Sequence, residues 1–425
     1  MAHNNTPDSG FLERGNRSRP DRAGTAPVDR GERPQSQAMK LALIGFGQAG
    51  GKVVDEFLSY ERTIDGNFVE SAIAVNSATA DLHGLEEIPT EHRVLIGQTR
   101  VKGHGVGADN ELGATVTEED IDEIQGAIDR VPVHEIDAFL IVAGMGGGTG
   151  SGGAPVLAKH LNRIYSEPVY GLGILPATDE GGIYTLNAAR SFRTFVREVD
   201  NLLVFDNDAW RQTGESVRTG YGEINREIAE RFGLLFAAGE VEEGDHVAES
   251  VVDSSEIINT LSGGGVSTVG YARETVENAN DGLISKFRDG DSPDELSATS
   301  RMTSLVRKAA LGRLTLPCDV SSAERGLAVA TGPPAHLNRK GIERGRTWLE
   351  EETGSMEIRG GDFPLVGERE VGSIVLLTGV TSVPRIETLQ QVAIDAKNRT
   401  ADVQAQSQEQ FSSLMDTGGE IDALF

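Results

Sequence analysis

The sequence predicts an α/β protein: a Rossmann-like, parallel-sheet domain, a long central helix and a second, smaller α/β domain. Three observations predict it. Apolar runs of strand length alternate with helical segments from residue 40 to 210, the pattern of a parallel sheet covered by helices on both faces. Two of those runs lead directly into glycine loops that open helices, where a doubly wound sheet places its ligand. Beyond Tyr221 a long amphipathic stretch is followed by a region of strands and helices without that alternation. On this reading residues 1–38 are a disordered N-terminal extension and 39–220 the nucleotide domain. Residues 221–256 are the central helix and the loop after it, 257–385 the second domain, and 386–425 a C-terminal helix and flexible tail.

At 425 residues, 38% of them hydrophobic, the chain can bury two ordinary cores. No apolar run reaches the length of a membrane-spanning helix and no hydrophobic signal segment opens the chain, so no membrane insertion is expected. A single cysteine, Cys318, excludes an internal disulfide and a cysteine metal cluster, and the eight histidines show no metal-binding spacing. No metal site held by the protein alone is expected, and a reducing cytoplasm fits these features. The net charge of −27 argues against a nucleic-acid partner, whose phosphates it would repel. Only eight of the 39 basic residues are lysine. An acidic, lysine-poor surface suits a salt-saturated cytoplasm, where the Debye length is only about 3 Å at 1 M and self-repulsion is screened.

The N-terminal segment is polar, arginine- and proline-rich and without apolar period. Met39-Lys40 directly precedes the first strand, Leu41–Ile44, so Met39 reads as the true or an alternative start. The loop Gly45 to Lys52 follows, then a helix from Val53 to Tyr60. Gly45, Gly47 and Gly50 form a GxGxxG, which taken alone suggests an NAD-dependent oxidoreductase. That chemistry wants a carboxylate at the end of the second strand for the ribose. The second strand here, Ser71–Val75, ends in Asn76-Ser77. Val94–Gly97 leads to a glycine-rich loop over 102–108, and Glu118–Ile128 reads as a helix. The strand Ala138–Val142 then enters a loop with six glycines between Gly146 and Gly153. Glycine gives up packing and costs backbone entropy. What it allows is close approach of backbone N–H groups to an anion at a helix N-terminus. Gly148, Thr149 and Gly150 therefore read as the centre of a phosphate cradle, with the Thr149 and Ser151 hydroxyls beside it. It is not a Walker A loop, because no lysine follows until Lys159.

Gly146 to Gly152 reads Gly-Gly-Gly-Thr-Gly-Ser-Gly and resembles, residue for residue, the signature of the tubulin/FtsZ superfamily. The resemblance implies that Gln48, Ala49, Gly50, Gly51 and Lys52 form a first nucleotide loop; Lys52 reads equally as a solvated lysine. It also implies that Asn76-Ser77 begins a second nucleotide loop, and that the 102–108 loop falls where the superfamily senses the γ-phosphate. After the strand Val169–Pro176, Glu180-Gly181 resembles the ribose contact of FtsZ, although Tyr184 stands in place of its arginine. Asn207, after the strand Asn201–Phe205, matches the first guanine-contacting asparagine. Thr219 to Asn225 resembles the segment that opens the central helix of tubulin. Tyr221 can stack on a base, and the Asn225 amide one turn on offers both donor and acceptor.

Ile224, Ile228, Phe232, Leu235 and Phe236 give the central helix an apolar face, and Glu240–Glu249 reads as an acidic loop. Val251 to Asn259 resembles the superfamily's synergy loop, with Asp253 and Glu256 as its acid pair. Taken from Tyr221 to Gly239 the helix is about 29 Å long. With the base at its start, acids near its far end cannot reach the phosphates of their own subunit. Asp253 and Glu256 then orient an attacking water on a neighbour's nucleotide; the competing reading, an N-terminal capping box, is compatible with that role. A repeated head-to-tail contact of this kind makes a filament.

In the second domain a helix over Ser304–Ala310 and strands over Arg325–Thr331, Thr347–Thr353, Ser355–Gly360 and Gly372–Thr381 are expected. Gly263–Gly265 and Asp289–Asp291 read as surface loops, and a helix runs from Pro384 to about Asp402. The last residues, Glu420 to Phe425, form a frayed tail or a peptide ligand for an accessory protein. The mixture of tubulin-like and FtsZ-like motifs with this composition resembles the archaeal CetZ family. That resemblance implies a cytoplasmic GTP-hydrolysing protein that uses GTP and GDP with Mg²⁺, assembles with itself into filaments and controls cell shape. An FtsZ-like division GTPase, an NAD-dependent oxidoreductase and a non-hydrolysing GTP-binding scaffold are the alternatives.

Overall fold

The computed structural model describes residues 38–211, 217–239, 252–276, 293–365, 368–396 and 398. The expected extension before residue 38, the acidic loop 240–249, the turn 289–291 and the tail beyond 398 lie outside the described residues. Ten strands run in chain order as β1 (Leu41–Phe46), β2 (Val69–Asn76), β3 (Arg93–Leu95), β4 (Ala138–Gly144) and β5 (Val169–Leu175), then β6 (Asn201–Asp206), β7 (Val266–Thr275), β8 (Arg325–Gly332), β9 (Ile358–Pro364) and β10 (Glu370–Thr378). They form one sheet in the order β3-β2-β1-β4-β5-β6-β7-β10-β8-β9. Strands β1 to β6 pair in parallel throughout. The order reverses between β1 and β4, so the carboxyl ends of those two strands mark the topological switch point.

Both faces of the parallel strands are covered. On β1, Leu41 and Leu43 fall in the core cluster that holds Phe232, Leu235 and Phe236 of the central helix. Ala42, Ile44 and Phe46 fall in the opposite cluster, with Ala154, Leu157 and Leu161 of the helix Thr149–Ile164. Period-2 alternation in an unbroken apolar run is what a two-sided buried strand requires. Ala38 and Met39 are buried too, and the Met39 N–H donates to Phe236 O at 3.0 Å, tying the start of the described chain to the central helix.

The central helix is Val217–Ala237, four residues earlier at its start than expected and 21 residues long, about 32 Å. β6 meets β7 in parallel at two residue pairs only, Leu202–Val266 and Leu203–Ser267. β7, β10 and β8 then pair antiparallel, and β9 joins β8 in parallel.

Two expected elements are corrected. Residues 118–128 are not one helix: Asn110–Glu119 and Ile121–Ile128 break at Asp120, whose carboxylate turns to accept the Gly97 N–H at 2.5 Å. The expected strand over Thr347–Thr353 is the end of a helix, Arg339–Thr353. Asn338 caps its start by accepting the Gly341 N–H at 2.9 Å, and Gly354, at φ 68°, ends it. Its glycines face a neighbouring helix, Pro293–Leu311, so closely that a Cβ on Gly345 would lie 2.6 Å from the Val306 side chain. The local composition also favours a helix, since Leu349 and the three glutamates at 350–352 are good helix formers.

Candidate nucleotide site

The site is built on two helix N-termini at the switch point. β1 passes directly into the helix Gly47–Thr63, and β4 passes through the glycine loop into Thr149–Ile164. Neither helix carries an acidic residue in its first turn, where one would ordinarily be favoured. Their positive ends are left to an external anion. They also touch: Gly47, at φ 73°, lies where a Cβ would come within 2.8 Å of the Gly150 nitrogen. Gln48, Ala49, Lys52, Gly148, Thr149 and Gly150 all line the cavity between them, whose volume is about 650 Å³. Gly50 and Gly51, expected as nucleotide contacts, do not line it. A Cβ on Gly50 would lie 2.0 Å from Val142 O, so this glycine lets the first helix lie on β4; Gly51 faces Leu85.

Within the signature loop the glycines divide. A Cβ on Gly148 would meet Gly107 O at 2.5 Å, so that position serves contact with the 102–108 loop. A Cβ on Gly147 would meet nothing within 4 Å, and Gly147 lines the cavity. That is the open part of the cradle. The Thr149 hydroxyl lies 2.7 Å from the Ser77 hydroxyl. The Ser151 hydroxyl donates to Gly147 O instead of facing the cavity, which corrects its expected role. The 102–108 loop forms a wall through His104 to Ala108. Its position is held by Gly105 N–H to Ser77 O at 3.1 Å and by Asn187, which sequence reasoning missed. Asn187 is buried on the helix Gly182–Glu198, and its amide donates to Ala108 O at 2.7 Å and to Gly146 O at 3.0 Å. One side chain therefore ties the signature loop and the 102–108 loop together.

At the other end the cavity is lined by Pro176, Glu180, Tyr184, Asn207, Tyr221, Ile224 and Asn225. Asn207 is 5% exposed, and its Oδ1 has no partner among the described residues. An orphaned buried carbonyl is costly unless a ligand donor completes it, and the adjacent N–H donors of a guanine edge fit it. Tyr221 is held by a hydrogen bond to Glu180; burial and that carboxylate push the phenol pKa up. Glu180 also accepts the Ala177 N–H at 2.6 Å. The turn Asn207–Trp210 is clamped between arginines, with the guanidinium of Arg313 4.0 Å and that of Arg231 4.3 Å from the Trp210 ring centroid. Asp206, just before it, is pushed up to about 6 by burial against the opposing influence of Arg385.

Asp253 and Glu256 do not line the cavity. Asp253 caps the helix Ser254–Leu261 by accepting the Glu256 N–H at 3.1 Å. Only half of a capping box forms, because the Glu256 carboxylate accepts from Arg359 on β9 at 2.7 Å. Arg359 was not legible in the sequence; it lies 103 residues away.

Comparison with known proteins agrees with this geometry. Residues 40–215 match the model of the tubulin/FtsZ family GTPase domain, and residues 214–395 that of the tubulin-like CetZ C-terminal domain. The chain is 70% identical over 372 residues to the tubulin-like protein CetZ1 of Haloferax volcanii, spanning 86% of this chain and 94% of that one. The chain belongs to the CetZ family. Among solved structures, CetZ1 of Haloferax volcanii as a GDP-bound monomer superposes with a TM-score of 0.76 at 68% identity, covering 84% of this chain and all of that one. CetZ2 of the same organism, as a GTPγS-bound protofilament, gives 0.75 at 46%, covering 85% and all of that chain. CetZ membership replaces the dinucleotide reading of the GxGxxG, whose third glycine serves packing here.

Proposed function

We propose that this CetZ protein binds GTP in the cavity, hydrolyses it and assembles head to tail, each site being completed by Asp253 and Glu256 of the next subunit. The observation that carries the proposal is the separation of parts. Tyr221 and Asn225 line the cavity near the start of a helix about 32 Å long. The acid pair follows its far end and contributes nothing to the cavity lining. The GTPγS protofilament of CetZ2 supports the same arrangement. Backbone N–H groups of the two helix N-termini bind and orient the phosphates, and Asn207 and Asn225 read the base while Tyr221 stacks on it. Glu256 of the neighbour orients the water that attacks the γ-phosphorus in line with the departing β-phosphate oxygen.

Among the described residues no cluster of three or more metal-ligating side chains occurs. Mg²⁺ would therefore be carried by the phosphates, with Asp81 a carboxylate of the lining near Asn76 to meet its waters. The cellular role we assign is cytoplasmic filaments that control cell shape, with a division role as the second reading.

Glu256→Ala should bind GTP normally and hydrolyse it roughly 10²–10⁴-fold more slowly. Wild-type turnover by this variant would end the catalytic assignment. Turnover per subunit that stays constant on dilution to monomer would end the assignment in trans.

A further inference from the structure

Arg385 lies at the foot of the site with its side chain largely covered, on the helix over 384–396, far from it in sequence. Its Nη2 donates to Pro176 O at 2.7 Å, and its Nε lies 3.4 Å from Asp206 Oδ1. The two side chains of that pair are 9% and 5% exposed. Both acceptors belong to the ligand-facing ends of strands. Pro176 follows β5 and lines the cavity; Asp206 ends β6, accepts the Asp208 N–H at 3.2 Å and immediately precedes Asn207. The helix itself is docked by Val383, Ile386 and Leu389, all buried in the core beneath the sheet.

We propose that Arg385 is a positioning residue for the nucleotide base, and that through it the docking of the C-terminal helix and the occupancy of the cavity are coupled. The proposal rests on the reading of Asn207 as a base contact. One guanidinium thus links two strand ends, by a hydrogen bond to Pro176 O and by an ion pair with Asp206. Pro176 lines the cavity, and Asp206 immediately precedes Asn207, which also lines it. When the helix leaves, Asp206 loses the cation that compensates it among the described residues, in a buried setting where an unpaired carboxylate is strongly disfavoured. The carboxylate must then protonate or move, and Asn207, the next residue, moves with it. Coupling of this kind is reciprocal. A nucleotide that fixes Asn207 and the Pro176 wall fixes both acceptors of Arg385 and so tightens the helix.

The test uses the full chain, nucleotide-free and saturated with GDP, and reads hydrogen exchange over 384–396 together with GDP affinity. In the wild type GDP should slow exchange across that helix. Arg385→Ala should weaken GDP about tenfold, within the range of ordinary coupling, and abolish the effect of GDP on the helix. Arg385→Lys keeps the charge, loses the fork and should fall between. Helix exchange indifferent to GDP in the wild type overturns the coupling, even if Arg385→Ala does not fold. Wild-type affinity and wild-type helix protection in both variants overturn the role of the guanidinium. Wild-type GDP affinity in Asn207→Ala would instead overturn the base-site reading on which the proposal stands.

Discussion

Asp206 shows how one buried group sets a pH dependence. Its carboxyl is raised from 3.8 to about 6, chiefly by burial, with Arg385 opposing. A carboxyl raised on folding contributes stability that is full below its unfolded value and lost as pH rises through its folded value. The relevant window is therefore pH 4 to 6. Asparagine mimics the protonated form, so the stability of Asp206→Asn relative to wild type should improve by about 2–3 kcal/mol across that window and then level off. Denaturant unfolding at several pH values reads this directly; a constant difference would show that burial does not control the group. A second residue-scale prediction concerns Gly147, where a side chain meets no protein atom. Gly147→Val should keep stability within about 0.5 kcal/mol and lose GDP affinity at least about tenfold, since only a ligand occupies that space. Normal GDP binding would move the cradle elsewhere. Gly148 is a poorer probe, because a side chain there strikes the 102–108 loop first.

At the scale of elements, the site depends on loops held by side chains from other segments. Asn187 joins the signature loop to the 102–108 loop through two buried donors. Removing them strands two carbonyls, so Asn187→Ala should destabilise by about 1–3 kcal/mol. It should also raise hydrogen exchange over 104–108 more than elsewhere; unchanged exchange in that loop would show that its backbone bonds to Ser77 and Thr79 suffice to hold it. The acid pair depends on another such contact. Asp253 fixes the start of its helix, and Arg359 on β9, at the sheet edge, holds Glu256.

For the whole molecule, charge is the dominant quantity. A net charge of −27 on 425 residues opposes both folding and self-association unless it is screened. Raising KCl from about 0.1 M to about 1 M shortens the Debye length from about 10 Å to about 3 Å. The melting temperature should rise across that range by several degrees, and a melting temperature that falls would refute the reading of the composition as salt-adapted.

The sequence by itself determined the alternating α/β architecture, the two glycine loops, the central helix and most of the cavity lining. The architecture, the glycine loops and the helix are local features: period-2 apolar runs, glycine where backbone must approach closely, and an apolar face at helical spacing. Thr149, within the glycine loop, was legible in this way; Gln48, Glu180, Asn207, Tyr221 and Asn225 were legible through the resemblance to the tubulin/FtsZ superfamily, and all six line one cavity. Tertiary structure alone decided the rest. It gave Gly50 and Gly51 packing roles and set Gly148, still in the lining, against the 102–108 loop, because what a glycine accommodates is set by the element laid against it. It showed 347–353, expected as a strand, to be the end of a capped helix that packs closely on a partner helix. It also brought Asn187, Arg359 and Arg385 to the residues they hold. A polar side chain that acts through partners 41, 103 and 209 residues away leaves no periodic trace in the chain, because its partners are chosen by the sheet order and not by spacing.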